Sequence, residues 1–384
     1  MKLGRYLLAL IILLICCAFA QDESLIDTQQ NRKTSPINTK EYKQAAQVSA
    51  YLNSIAKTKW CPKWAPLPIY YGQTHYLKYL TSVLKSKYPT NRAKAVFLLG
   101  MIGYEGSYKD IKPLLKDSDI NVKMQAALAL SMLGKADGIY NLKSMLATQP
   151  EWIRIYVIYG LWKINSSQAK TILNQSLKNQ LPFPKKITVQ ALKTKYIPSP
   201  SFKIKPVPSI YKNRTLEDIW VEASDLFFAE SDWWWHSGDY EHATRCLMSA
   251  AMITPSNIDA FSSAAWLQWS LGKNDSAIAI FKEGIRVNPK NADIHFEYGY
   301  HLYNIKKFVD AEPLLKKSVE LGVGLTGERV YAHCLENTGK LKESMLVWEK
   351  LLKENPDDVT IKNNYNEVKD KIDESNKTPR TPQP

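Results

Sequence analysis

The sequence has little of what would staple a small exported fold or run a reaction. Of its 5 cysteines, Cys16 and Cys17 fall in an apolar run at the start, which leaves Cys61, Cys246 and Cys334 widely scattered. Three such thiols make no disulfide framework, so stability must come from packing. There is no H-E-x-x-H, no G-x-S-x-G and no glycine-rich phosphate loop, which removes the common metallopeptidase, hydrolase and nucleotide-binding signatures. The histidines do not assemble a metal site either. His236 and His242 flank Asp239 across a turn at Ser237-Gly238-Asp239-Tyr240, while His295 and His301 diverge by well over a right angle on one helix. No catalytic residue, metal or cofactor is expected. Acid is missing altogether from Trp152 to Leu216, where Arg154, Lys163, Lys170, Lys178, Lys185, Lys186, Lys193, Lys195, Lys203, Lys205, Lys212 and Arg214 accumulate. Beyond the first twenty residues no segment is apolar enough to span a bilayer.

What is present begins with MKLGRYLLALIILLICCAFA. Lys2 and Arg5 precede an unbroken apolar run from Leu7 to Cys17, and Ala18-Phe19-Ala20 fits a cleavage site. The pattern predicts a secretory signal peptide over residues 1–20 and an exported, periplasmic, envelope or secreted protein. An uncleaved anchor is one alternative. A lipoprotein with Cys17 as the lipidated residue is another, opposed by Ile15 and Cys16 where small residues are preferred. The net charge is +14, with 51 basic against 37 acidic residues, and much of the excess lies in the acid-free stretch. That stretch suits an anionic polymer or membrane surface. Nucleic acid is not expected as a partner, because no motif of a nucleic-acid-binding fold is present.

The strongest pattern is a repeat between Phe227 and Pro356. Gly238, Gly272, Lys306 and Gly339 recur at steps of 34, 34 and 33 residues. Ser231, Ala265, Gly299 and Ala332 form a small-residue column, as do Ala243, Ala277, Ala311 and Ser344. Leu247, Phe281, Leu315 and Trp348 form a large apolar one, and Pro255, Pro289, Val323 and Pro356 close the units. Each unit reads as two helices, small residues permitting close approach and large ones filling the gap. These columns resemble the tetratricopeptide repeat family, in four units.

A second period of 31 residues runs upstream. Leu99, Leu130 and Leu161 recur, as do Gly103, Gly134 and Asn165, and Ile111/Leu115, Leu142/Leu146 and Leu173/Leu177 match in the second helix of each unit. Apolar residues at three- and four-residue steps place these positions on one helical face. The stretch NVKMQAALALSMLGKADGIYNL resembles short HEAT-like repeats, including those of phycobilin lyases. The resemblance implies architecture and no lyase activity.

The expected fold is therefore all-α, with two α-solenoid arrays. A loose segment and cap occupy 21–75, including Trp60-Cys61-Pro62-Lys63-Trp64, and a HEAT-like array occupies 76–180. Pro182, Pro184, Pro198, Pro200, Pro206 and Pro208 predict an extended basic linker over 181–214, long helices being excluded there. The tetratricopeptide array covers 215–356, a polar capping helix 357–373 and a disordered tail 374–384.

In the tetratricopeptide family the first helices of successive units line a concave groove. The resemblance places Asp225, Phe228, Asp232, Trp235 and His236 on that face in the first unit, and Asp259, Trp266 and Trp269 in the second. The third contributes Asp293, Phe296, Tyr300, Tyr303 and Asn304, and the fourth Arg329 and His333. An aromatic and acidic groove suits an extended peptide carrying Lys, Arg or Pro, and its rings leave carbohydrate open. The competing reading is that Asp225, Asp259 and Asp293 only complement helix N-termini and that some of the aromatics are packing residues. The function expected is an exported, non-enzymatic protein–protein interaction scaffold. The alternative is binding of envelope carbohydrate, anionic polymer or a membrane surface through the basic linker.

Overall fold

A computed structural model describes residues 77–178, 182–197 and 215–377. The signal-peptide segment, the Trp60–Trp64 segment with Cys61, the linker from 198 to 214 and the tail from 378 lie outside the described residues. Among those described there are helices and turns and no strand.

The N-terminal array starts with α1 (Leu77–Val83) and α2 (Pro89–Ile102). Next come a short α3 (Tyr108–Ile111), α4 (Ile120–Met132), α5 (Ile139–Thr148), α6 (Glu151–Ile164), α7 (Ser167–Ser176) and α8 (Pro182–Lys193). Helices α2, α4, α6 and α8 pack side by side as one layer, with α5 and α7 in the other. Local chemistry sets the ends. Pro89 starts α2, where its missing N–H costs nothing, and Asp119 caps α4 by accepting from the amides of Asn121 and Val122. The Gly103, Gly134 and Asn165 column is where these helices stop, with φ of 70°, 75° and 51°. Left-handed backbone is cheap for glycine and tolerable for asparagine, so the column is a row of C-terminal caps. The second helix of the first unit is broken, α3 passing into a 3-10 stretch at Lys112–Lys116 that contains Pro113.

The layer packs closely because small residues sit at the crossings. A Cβ on Gly160 would lie 1.9 Å from the Ser131 hydroxyl, and one on Gly100 would lie 2.7 Å from the Ala129 Cα. The linker expected at 181–214 needs correction here. Residues 182–193 are helical, with Pro182 and Pro184 in the first turn, where proline is tolerated. Ile187, Thr188 and Ala191 are buried, and α8 packs on α6 as the next helix of the array.

The second array consists of α9 (Leu216–His236), α10 (Tyr240–Ile253), α11 (Ile258–Ser270), α12 (Asn274–Val287), α13 (Ala292–Asn304), α14 (Phe308–Glu320), α15 (Leu325–Asn337) and α16 (Leu341–Glu354). A final α17 (Val359–Lys377) follows, so residues 374–377 of the expected tail continue the capping helix. Both small-residue columns and the large apolar column are buried throughout, Phe281, Leu315 and Trp348 completely. Burying a side chain of that size stabilises by roughly 2–3 kcal/mol. Gly238, Gly272, Lys306 and Gly339 all adopt positive φ, at 76°, 76°, 60° and 78°. The column is the turn that reverses the chain between the two helices of each unit, and in the third unit a lysine does glycine's work.

The two arrays also touch directly. Phe97 of α2 stacks on Phe227 of α9 with centroids 6.4 Å apart, and Tyr156 of α6 bonds Ser249 of α10 at 3.0 Å. Ser276 donates to Glu151 at 2.8 Å, while Lys273 pairs with Glu241 and reaches Glu151 at 3.9 Å. Lys94 lies over the ring of Trp220. Cys246 and Cys334 are free, buried thiols on α10 and α15.

Candidate functional site

The first helices of the second, third and fourth units, α11, α13 and α15, are neighbours in one layer. Asn257 and Asn291, one period apart, start α11 and α13 by accepting from the amides of Ala260 and Ile294. With the starts fixed in register, side chains spaced by three and four residues on both helices face one surface.

On that surface the rings form a continuous series. Trp269 meets Trp266 edge-on at 5.3 Å, Trp266 meets Tyr300 at 5.8 Å, and Tyr300 stacks on Phe296 at 5.6 Å with the planes 9° apart. All four are partly buried, each keeping surface open to solvent. His301 backs them, 5.6 Å from Trp266 and 5.9 Å from Trp269. Burial, with Lys307 nearby, pushes the His301 imidazole down to about 4, so it is neutral at physiological pH. Its Nε2 contacts Asn274 at 2.9 Å.

Three carboxylates border the rings. Asp259 and Asp293 are exposed in the first turns of α11 and α13, and Glu297 accepts the Trp266 indole N–H at 2.7 Å. Burial raises the Glu297 carboxyl above its ordinary range, and the negative charges of Asp259 and Asp293 raise it further. Asp293 is raised for the same two reasons, burial first and then Asp259. These groups therefore feel one another. A cluster of this kind offers negative charge beside aromatic faces and little hydrogen-bond donation, so it favours cations and disfavours carboxylate ligands.

The remaining expected groove residues show no described ring contact with these four rings. In the first unit Asp225, Asp232 and His236 are exposed, Phe228 is half-buried and Trp235 is 42% exposed. His236 folds back on its own helix, its Nδ1 2.8 Å from the Asp232 carbonyl, and the described ring contact of Trp235 is with His236. Trp234 takes the packing role, stacked on His242 at 4.5 Å, and His242 contacts Asp239 at 2.7 Å. Tyr303 contacts Phe308 within its own unit and also reaches Asn337 of the fourth unit, and Asn304 is exposed at the end of α13.

In the fourth unit the polar residues are consumed by the cap. Arg329 pairs with Asp358, which itself caps α17 through the amides of Thr360 and Ile361. His333 lies 3.2 Å from Glu336, and Glu336 also accepts from Lys371 at 3.0 Å and Trp348 at 3.2 Å. Burial opposes ionisation of Glu336, but these three donors outweigh it and hold the carboxyl at about 2.

The helix-terminus reading fits Asp259 and Asp293 by position. It does not fit Asp225, which lies in the body of α9, well past its first turn. Sequence reasoning missed Glu297. The signal was present, because Asp293, Glu297 and Tyr300 follow one another at steps of four and three along a helix face. Among the described residues no group of three potential metal ligands comes together.

Comparison with known proteins agrees with this layout. Residues 77–162 match the HEAT repeats family and residues 258–291 the tetratricopeptide repeat family. The second match covers α11 and α12, the unit that carries Trp266 and Trp269. The chain thus carries HEAT-like repeats upstream and tetratricopeptide repeat sequence downstream. Similar solved structures include a thermophilic tetratricopeptide protein of Thermus thermophilus, at 14% identity and TM-score 0.31, covering 59% of this chain and 98% of that one. Pseudomonas aeruginosa pilF is similar at 14% identity and TM-score 0.30, covering 65% and 99%, and yeast Tom70 at 14% and 0.35, covering 91% and 70%. No curated protein matches the chain.

Proposed function

We propose that the protein is an exported, non-enzymatic scaffold whose tetratricopeptide groove holds an extended segment of a partner protein rich in lysine, arginine or proline. Repeat arrays of this kind serve as protein–protein interaction scaffolds, and the reading narrows that role to one surface. The observation that carries it is the continuous run of Trp269, Trp266, Tyr300 and Phe296 bordered by Asp259, Asp293 and Glu297. Selection of a displayed random peptide library on the protein tests it. Enrichment of extended basic or proline-rich sequences is expected, and a Trp269→Ala/Tyr300→Ala variant should lose it. Identical enrichment on the variant would remove the groove from consideration. Export is tested separately by sequencing the N-terminus of the native protein, where cleavage after Ala20 leaves Gln21 first.

A second reading has its own support. Lys170, Lys178, Lys185, Lys186, Lys193 and Lys195 of the acid-free stretch are all exposed, a distribution that suits an anionic wall polymer or lipid surface. Binding of that kind falls steeply with salt. Co-sedimentation with phosphatidylglycerol vesicles at low and high salt distinguishes it, because it should be indifferent to Trp269→Ala.

A further inference from the structure

The middle of the groove holds acids that a strongly basic chain leaves without counter-ions. Several carboxylates elsewhere are met by a cation: Asp117 by Arg92, Asp137 by Lys112, Glu312 by Lys340, Glu328 by Lys350 and Glu336 by Lys371. No described lysine, arginine or histidine pairs with Asp259, Asp293 or Glu297, despite 51 basic residues in the sequence. Helix termini ease the position of Asp259 and Asp293. They do nothing for Glu297, which sits mid-helix and has one described hydrogen bond, from Trp266 to Oε2.

These acids adjoin partly open aromatic rings. The face of an indole or phenol attracts a cation electrostatically, most strongly where water is partly excluded. Carboxylates beside the rings add charge complementarity and repel acidic ligands. The flanking units set the limits of the site. In the fourth unit Glu336 and Arg329 are already neutralised by the capping region. In the first, Trp235 makes no ring contact with the second unit among the described residues.

We propose that the second and third units form a seat for a single arginine or lysine side chain of a partner's extended segment. Its cation lies among Asp259, Asp293 and Glu297 and its stem lies on the rings of Trp266, Trp269 and Tyr300. The proposal rests on the groove being the peptide site and adds which residue is read, and where. Recognition is confined to two units, and the remaining peptide contributes contact without charge readout.

The experiment is calorimetric titration of the full protein with four mixtures of acetylated, amidated nonapeptides. Their central residue is arginine, lysine, norleucine or glutamate, and the other positions are random among Ala, Leu, Pro and Ser. The arginine and lysine mixtures should bind at least about tenfold more tightly than norleucine, the size typical of a partly desolvated cation on aromatic rings. Glutamate should bind most weakly. An Asp293→Asn/Glu297→Gln variant should bring arginine down to the norleucine level while norleucine affinity is unchanged, which shows that the groove is still folded. Glu349→Gln on α16 should change nothing. Equal binding of norleucine and arginine would leave the groove reading standing and overturn the seat. An arginine preference that survives the double variant but disappears in Asp232→Asn would move the cation to the first unit and overturn it too. Failure of every mixture to bind would remove both the seat and the groove reading beneath it.

Discussion

The third and fourth tetratricopeptide units share one architecture and treat their acids in opposite ways. In the fourth, Glu336 collects His333, Trp348 and Lys371, and Arg329 is neutralised by Asp358. In the third, Glu297 has one indole donor and acidic neighbours. The burial of the large apolar column is the same in both, Leu315 and Trp348 being fully enclosed. The main difference lies in the polar layer above the core. Among the described residues α17 follows the fourth unit, and it and its cap supply Lys371 to Glu336 and Asp358 to Arg329. The third unit has neighbours on both sides, and its Asp293 and Glu297 have no cationic partner among the described residues.

The largest test of this contrast removes the apolar anchors of the cap. Ile361 and Val368 are buried beside Ala332, Trp348 and Leu351. Replacing both by alanine should cost about 4 kcal/mol, read from urea unfolding, and should free Glu336 and Arg329 to behave like the acids and bases of an open groove. A loss below about 1 kcal/mol would show that the cap is not what completes the fourth unit.

The acids themselves give the next test. Glu336 titrates at about 2 when folded against 4.5 when unfolded. Its contribution is thus fully present above pH 4.5 and disappears as pH falls through 2. The shift corresponds to about 3 kcal/mol, which solvent screening lowers toward about 2 kcal/mol. Glu336→Gln should destabilise by that order at pH 7, with the gap to the parent closing at pH 2. A gap that stays constant with pH would show that the loss is packing rather than charge.

A smaller difference separates the turns of the two units. Lys306 holds φ of 60° where the fourth unit has Gly339 at 78°. Lys306→Gly should raise stability by about 1 kcal/mol, and the matching change of Gly339→Lys should lower it. If Lys306→Gly is destabilising, its side chain has a role beyond the turn. The smallest effect is also the most pointed. Glu297 has a raised carboxyl, so its ionisation works against folding once the unfolded group has lost its proton. Glu297→Gln should slightly raise the urea midpoint at pH 7 and leave it unchanged near pH 3, the opposite sign from Glu336→Gln.

Much of this could be read from residue types alone. The Gly238 column and the Gly103 column were visible as periods because only left-handed turns and caps demand such residues at fixed intervals. The Ala277 and Phe281 columns were visible because helix pairs need small and large residues at their crossings. Three features were not legible. Helix α8 was hidden by counting prolines without asking which ones fall in a first turn. Glu297 could be placed on the face of Asp293 and Tyr300 by spacing, but its pairing was hidden, because its partner Trp266 belongs to another unit and lies 31 residues away, off the 34-residue period. The contact between arrays was hidden because Phe97, Tyr156 and Phe227 read as ordinary interior residues of their own repeats. No periodic pattern distinguishes a core shared with the next turn from one shared with a different array.

That shared core bears on how the chain can be divided. A cut through the linker, the obvious place to separate the arrays, would strip cover from Phe97 and Tyr156 on one fragment and from Phe227 on the other. Each piece would carry a raw apolar face and tend to clump with its own kind. Transplanting either half onto a different host would require the matching face to travel with it. The two repeat families are therefore joined as graft and rootstock, and a workable fragment boundary runs through helix faces rather than along the sequence between them.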